Sequence, residues 1–227
     1  MTDVTAIATI RANLQGNRQE AIALYRQSLR PDKLLAALCL CADQTMRALL
    51  ELYPLPKGAA LAAVGGYGRG ELYPFSDVDL LIILKDELDA QAEATLSGLV
   101  AAMCDVGLEP GYSVRTIEQC VKEASADITV ETSLLESRWI AGSKTLAKLF
   151  EKTMTERLNA QQFFRAKRAE MQQRHARHQD TPYSLEPNCK ESPGGLRDLQ
   201  VIMWMARAAG FGSSWQAIAR AGLLTSA

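Results

Sequence analysis

Residues 64–80 read Val64-Gly65-Gly66-Tyr67-Gly68-Arg69-Gly70-Glu71-Leu72-Tyr73-Pro74-Phe75-Ser76-Asp77-Val78-Asp79-Leu80. The apolar run before this stretch, Ala59–Val64, and the one that closes it, Asp77–Leu84, are both of strand length. A strand that ends at Gly65-Gly66 lets a phosphate approach the backbone, because no Cβ stands in the way. A short helical segment fed by that turn presents free N–H groups and a positive dipole end, both of which favour an anion. Arg69 adds a guanidinium fork for phosphate oxygens, and Ser76 adds a hydroxyl. Asp77 and Asp79 are two residues apart at the start of a strand, so their carboxylates project from one face. Two carboxylates completed by substrate phosphates are the hard-oxygen shell that Mg²⁺ prefers. Asp77 and Asp79 are therefore the candidate metal-binding and catalytic residues, and Gly65, Gly66, Arg69 and Ser76 the candidate nucleotide ligands.

Other readings of the stretch fail on spacing. The glycines at 66, 68 and 70 miss the Gly-x-Gly-x-x-Gly dinucleotide pattern, and no Gly-Lys-Ser/Thr is present for a P-loop. A lone Asp-x-Asp is commonly a solvated pair or a cap, and occurs in metal-dependent glycosyltransferases, but a Gly-Gly turn ten residues ahead disfavours both. Composition narrows the rest. The 227 residues are 48% hydrophobic with a formal net charge of −1, which excludes a basic nucleic-acid binder by charge alone. No run approaches a membrane span, and the N-terminus lacks the plan of a signal peptide. Five cysteines at irregular spacings, without Cys-x-x-Cys, argue for reduced thiols in the cytoplasm. Only His175 and His178 are available, together in one basic stretch, whereas a Ser-His-Asp triad or a multi-histidine metal site needs histidines in other places.

Working outward, helix is expected over 5–53 with a fresh start at Pro31-Asp32, and Tyr53–Gly58 is a breaker. Beyond the two strands, 87–106 reads as helix, Leu108–Thr116 as a strand, Ile117–Ala124 as a short helix and Arg138–Ile140 as a short strand. Residues 144–179 read as one long polar helical region, 184–195 as an irregular loop and Leu196–Ala209 as helix. The expected fold is α/β (α+β), a small mixed sheet flanked by N- and C-terminal helices. It is divided into a helical segment 1–56, a core 57–143 and a helical region 144–227.

The Gly-Gly turn, the ten-residue spacer and Asp-x-Asp resemble the nucleotidyltransferase superfamily that includes polymerase-β-like enzymes. That resemblance implies a fold of the polymerase-β-like type and attack of an acceptor hydroxyl on the α-phosphate of a nucleoside triphosphate. At finer grain, GGYGRGELYPFSDVDLLIIL, Asp105–Thr116, Thr132–Arg138 and Leu185–Asp198 resemble the protein-PII uridylyltransferase (GlnD) family. The last segment is the most family-specific. The resemblance covers about Ala59 to Gly212. It implies Mg²⁺-dependent transfer of UMP from UTP to a tyrosine of the PII nitrogen-regulatory protein, in the cytoplasm. It also implies a longer chain with a uridylyl-removing domain and glutamine-sensing domains. Two histidines and an end at Ala221–Ala227 that looks cut lead us to expect a fragment without them. Adenylyl or another nucleotidylyl transfer to protein, and a silent nucleotide- or PII-binding regulatory module, are the alternatives.

A third carboxylate is expected in the superfamily, and Glu109, Asp127, Asp105 and Asp198 are its candidates. Asn188, Lys190 and Arg197 are candidate nucleotide ligands, because a loop leading through Gly194-Gly195 into a helix is another anion-friendly arrangement. Arg115 is a candidate for phosphate or for a core carboxylate. The basic group Arg165, Lys167, Arg168, Arg174, His175, Arg177 and His178 reads as the solvated face of a long helix. Few aromatics lie near it, which argues against nucleic acid. Trp204, Met203, Met205 and Trp215 read as core.

Overall fold

The computed structural model describes residues 2–178, 180, 181, 183, 186 and 188–225, with side chains from residue 4 onward. Pro182 and residues 184, 185 and 187 of the expected loop lie outside the described residues, as do Ser226 and Ala227. The chain forms two compact units, Met1–Thr155 and Glu156–Ala227.

The first unit is built on a four-stranded mixed sheet of order β3-β2-β1-β4. β1 (Ala60–Ala63) is central, antiparallel to β2 (Val78–Leu84) on one side and to β4 (Arg138–Gly142) on the other. β2 runs parallel to β3 (Pro110–Thr116), with Asp79 opposite Gly111. Alanine is a poor strand former. In β1, however, all four residues are buried, and small side chains let layers on both faces of the sheet come close.

The alternation of β2 sorts its side chains between two cores. Val78, Leu80, Ile82 and Leu84 join Leu61 and Ala63 beneath the N-terminal helices and the helix Ala90–Val106, whereas Leu81 and Ile83 join Ala60 and Ala62 on the other face. Each fully buried Leu or Ile contributes roughly 1.5–3 kcal/mol.

The expected helix over 5–53 is two helices, α1 (Thr2–Ser28) and α2 (Pro31–Leu52). The chain reverses through Leu29, at φ 51°, and restarts with Pro31 at the first turn of α2. Leu34, Leu38, Ala42, Met46 and Leu49 make the buried stripe of α2. α3 is the short helix Gly65–Arg69. The β2-to-β3 crossover is α4 (Ala90–Val106), capped at its start by Asp89 and ended by Gly107. Arg11 and Arg18 of α1 donate to the carbonyls of Asp105 and Gly107, so the end of α4 is satisfied by the N-terminal helix. α5 (Ile117–Ala126) opens on a capping box of Thr116 and Gln119, and α6 (Ile128–Leu135) on Asp127. α7 (Lys144–Arg157) follows β4, and its Phe150 and Met154 close the second core.

The expected single helix over 144–179 is interrupted. α7 ends at Arg157, and α8 (Ala160–Arg177) starts afresh because Asn159 caps it, accepting from the N–H groups of Gln161 and Gln162. In the second unit α8 packs on α9 (Leu196–Ala208), and α10 (Trp215–Arg220) follows, capped by Ser214.

The basic group is only partly a solvated face, with Arg165, Arg168 and Arg177 exposed. Lys167 and Arg174 are buried. Lys167 pairs with Glu170 and lies over the Trp204 ring, while Arg174 pairs with Glu170, Glu191 and Asp198. Burial pushes the Lys167 ammonium below its usual range, against the pull of Glu170. Buried cations persist when carboxylates and ring faces replace their water. Of the expected core residues here, Trp204 is buried and Met203 and Met205 are half-buried. Trp215, the first residue of the short α10, is 40% exposed.

Candidate active site

The site is built where β1 and β2 lie side by side. β1 leads through Val64 into α3, and the Val64 N–H donates to the carbonyl of Asp79, tying the glycine turn to the acidic strand. Gly65 opens α3 at φ 58°, a left-handed conformation that a residue with a Cβ adopts only at a cost. No side chain caps α3 at Val64.

Asp79 is the only exposed residue of β2. It shares a face with Leu81 and Ile83, at the point where the apolar cover of that face ends. Its carboxylate is framed closely. A Cβ on Gly111 would come 2.5 Å from Oδ1, and one on Gly65 would come 3.4 Å from Oδ2 and 3.6 Å from the Ser133 hydroxyl oxygen. Asp77, just before the strand, is exposed as well. The structure thus brings Gly65 beside Asp79, with Gly66 next along α3 and Asp77 two residues before Asp79. Ser76 is half-buried and closes a turn by donating its N–H to the carbonyl of Tyr73.

Arg69 turns away from a purely solvent-facing role. Its guanidinium donates to Glu71 at 3.0 Å and to Glu136, which is buried. A second polar group lies behind the turn. The Tyr67 hydroxyl donates to Asp43 Oδ1 at 2.5 Å, and Arg138 donates to both Asp43 oxygens at 2.7 and 3.1 Å. Sequence reasoning took no account of Asp43, Tyr67 and Arg138. Asp43 sits within an otherwise apolar helix stripe, and that misplaced carboxylate was the one signal for it.

The four candidates for a third carboxylate part company. Asp127 caps α6, and Asp105 lies in the last turn of α4, where its carbonyl accepts from Arg11. Asp198 accepts from Arg174, His175 and the Gly194 N–H. Glu109 is exposed, and its carbonyl accepts from the Val78 N–H, at the foot of the acidic strand. Among the described residues, no three His, Cys, Asp or Glu side chains gather closely enough to hold an ion by themselves. Arg115 shares a face with Gly111 but lies about 13 Å further along β3 at 3.3 Å per residue.

Asn188, Lys190 and Arg197 lie together in the second unit. The Asn188 side chain accepts from the N–H groups of Lys190 and Glu191, and Arg197 donates to Glu191 and Gln200. The N–H groups of Gly194, Gly195, Leu196, Arg197 and Asp198 are all accepted within residues 189–198. The start of α9 is therefore satisfied by its own chain, and Lys190 is the exposed cation of the segment.

The donor chemistry of Asp77 and Asp79 fits a divalent cation such as Mg²⁺. Both are exposed hard-oxygen donors beside a backbone turn that is open to phosphate, and a two-carboxylate protein shell leaves room for substrate oxygens. Burial raises the Cys39 and Cys41 thiols and pushes Cys120 up to about 11, so these three are poor thiolates. Among the described residues no helix is long and apolar enough to cross a membrane.

A glycine turn, an Asp-x-Asp strand and this small mixed sheet define a nucleotidyltransferase domain, and the model of the family described as "Nucleotidyltransferase domain" matches residues 43–135. Within that class the chain belongs to the GlnD PII-uridylyltransferase family, whose model matches residues 162–227. It is 66% identical over 97% of its length to the "Bifunctional uridylyltransferase/uridylyl-removing enzyme" of Bordetella avium (strain 197N). It is 64% identical over 96% of its length to the protein of the same name from Bordetella parapertussis. The chain spans about a quarter of the length of these curated relatives, covering 26% and 25% of them. A solved structure of a toxin–antitoxin with AMP-PNP aligns with 61% of this chain and 96% of its own, at 18% identity and a TM-score of 0.34, a likeness too low to argue from.

Proposed function

We propose that the chain transfers UMP from UTP to a tyrosine hydroxyl of a PII regulatory protein in the cytoplasm, with Mg²⁺ held by Asp77 and Asp79. The observation that carries this reading is the seating of Asp79 between Gly65 and Gly111, beside a turn with no side-chain cap. The names of the relatives supply the nucleotide, and the family description supplies the acceptor.

In this reading the backbone of Gly65 and Gly66 receives the triphosphate, and Ser76 adds a hydroxyl donor. Arg69 brings positive charge to the same turn while Glu71 and Glu136 hold it in place. Of the second-unit residues proposed as nucleotide ligands, Asn188 and Lys190 are exposed and Arg197 is half-buried. The acceptor oxygen forms a bond to the α-phosphorus and the bond from that phosphorus to the β-phosphate bridge breaks. Pyrophosphate leaves with the electron pair, and the phenolic proton passes to a carboxylate or to water. When bound, the metal lowers the repulsion among phosphate oxygens and screens the leaving group. The uridylyl-removing activity named for the relatives is not assigned to these residues. Both histidines lie in or just after the last turn of α8, and His175 is engaged by Asp198.

The test is to incubate the chain with PII, Mg²⁺ and each nucleoside triphosphate in turn, reading the intact mass of PII. Gain of one uridylyl group with UTP supports the proposal. Gain from ATP alone reassigns the chain to adenylylation, and nucleotide binding without any transfer reassigns it to a regulatory module.

A further inference from the structure

The glycine turn is held from behind by a buried polar cluster that none of the chemistry above uses. Tyr67, the middle residue of α3, is 1% exposed, and Asp43 on α2 is 7% exposed. Besides its two bonds to Asp43, Arg138 at the start of β4 reaches the Tyr67 carbonyl at 3.3 Å and stands over the Tyr67 ring at 5.2 Å. Gly68 packs so tightly on the Glu136 carbonyl that a Cβ there would come to 1.9 Å from it, and Glu136 takes Arg69. The short segment Glu136–Arg138 therefore grips α3 through two of its side chains, Tyr67 and Arg69, and by backbone contact at Gly68 between them.

A cluster kept only for stability has a cheaper form. Buried ionic groups are often replaced by apolar residues with no loss of stability. What apolar packing does not supply is direction. Hydrogen bonds from a charged, two-pronged guanidinium hold a helix of five residues at one angle, and the same helix begins with the two glycines proposed to receive phosphate. A tilt of α3 moves Gly65 and Gly66 relative to Asp79. Misplacing a binding group by about 1 Å is enough to weaken catalysis strongly.

We infer that Tyr67, Asp43 and Arg138 are positioning residues that set the affinity of the site for the triphosphate. α2 thereby becomes a working part of the nucleotide site and not only its support. The inference rests on the nucleotidyl-transfer reading above and deepens it.

The experiment measures Mg²⁺-dependent UTP binding by calorimetry and steady-state transfer to PII. It compares the whole 227-residue chain with Tyr67→Phe, which deletes a single hydroxyl, and with Asp43→Asn, which keeps an acceptor for that hydroxyl but weakens the hold on Arg138. Melting curves verify that each variant is folded. Tyr67→Phe is expected to weaken UTP binding and raise KM for UTP about tenfold, a change of about 1.4 kcal/mol, with kcat within about threefold of the parent. Asp43→Asn is expected to fall between the two, and KM for PII to stay unchanged in both. Variants that are folded and bind UTP like the parent overturn the inference, as does a fall in kcat at constant KM, which marks only a smaller active fraction. If the unsubstituted chain binds no nucleotide, the failure belongs to the nucleotidyl-transfer reading itself.

Discussion

Asp79 of β2 leans over Gly111 of β3. The two are opposite one another in the parallel pair, and the carboxylate occupies the space a side chain at 111 would need, 2.5 Å from the position of its Cβ. Real Cβ atoms do not approach an oxygen so closely, so Gly111→Ala must displace the carboxylate. The expected result is loss of transfer by about a hundredfold or more, given that misplacements of about 1 Å carry penalties of that size. Melting is expected to change little, since Asp79 is exposed. A fully active Gly111→Ala enzyme removes Asp79 from the reaction centre.

Gly65 makes a second, separable demand. Its φ of 58° disfavours any Cβ by roughly 1–2 kcal/mol, and the Cβ of an alanine would also come 3.4 Å from Asp79 Oδ2. Gly65→Ala is expected to lower the melting temperature and to raise KM for the nucleotide. An unchanged KM in a destabilised protein means that the turn serves the fold alone.

Arg69 and Glu136 form an ion pair in which the carboxylate is 3% exposed. Removing one partner of a buried pair leaves the other uncompensated, commonly at about 3–5 kcal/mol. Glu136→Ala is therefore expected to shift urea denaturation to markedly lower midpoints, more than Glu71→Ala, whose side chain is 44% exposed. Equal midpoints for the two variants count against the buried pair as a fixed support of α3.

Asp198 ties α8 to α9, and acid should loosen the tie. Burial opposes its ionisation, but the Arg174 guanidinium, the His175 ring and the Gly194 N–H together hold the carboxyl below its ordinary 3.8. A folded-state value below the unfolded one gives stability that is present above the unfolded value and is lost as pH falls through the folded value. Stability of the second unit should therefore decline below its ordinary 3.8. Asp198→Asn should reduce stability at neutral pH and flatten that acid limb. Denaturant titrations between neutral pH and pH about 3 measure both.

The acidic strand, the glycine turn and the positions of the four strands along the chain were legible in the sequence because each is written locally: apolar runs bounded by glycine, and carboxylates at period two. The restart at Asn159 was not legible, since a single capping residue within a polar run does not disturb helical composition. Nor was the burial of Lys167 and Arg174, whose partners Glu191, Asp198 and Trp204 come from a different helix and loop. The Asp43–Tyr67–Arg138 cluster escaped for the same reason. Its members are 24 to 95 residues apart, and a lone aspartate in a helix gives no sign of the tyrosine it will meet. The family-specific segment Leu185–Asp198 was read as anion-friendly because Gly194-Gly195 leads into a helix. The N–H groups of Gly194 to Asp198 are accepted by carbonyls of residues 189–195 and by the Asp198 carboxylate, a closure that depends on loop conformation and not on residue type.

The most direct measurement for the account as a whole is the initial rate of uridylyl transfer from UTP to PII in Mg²⁺ by the intact chain and by Asp77→Asn and Asp79→Asn, with melting curves alongside. The account predicts transfer by the parent chain, and a loss of about a thousandfold or more in both variants at unchanged melting temperature, consistent with a metal that contributes several kcal/mol to the transition state. Transfer that survives either substitution in a folded variant contradicts it.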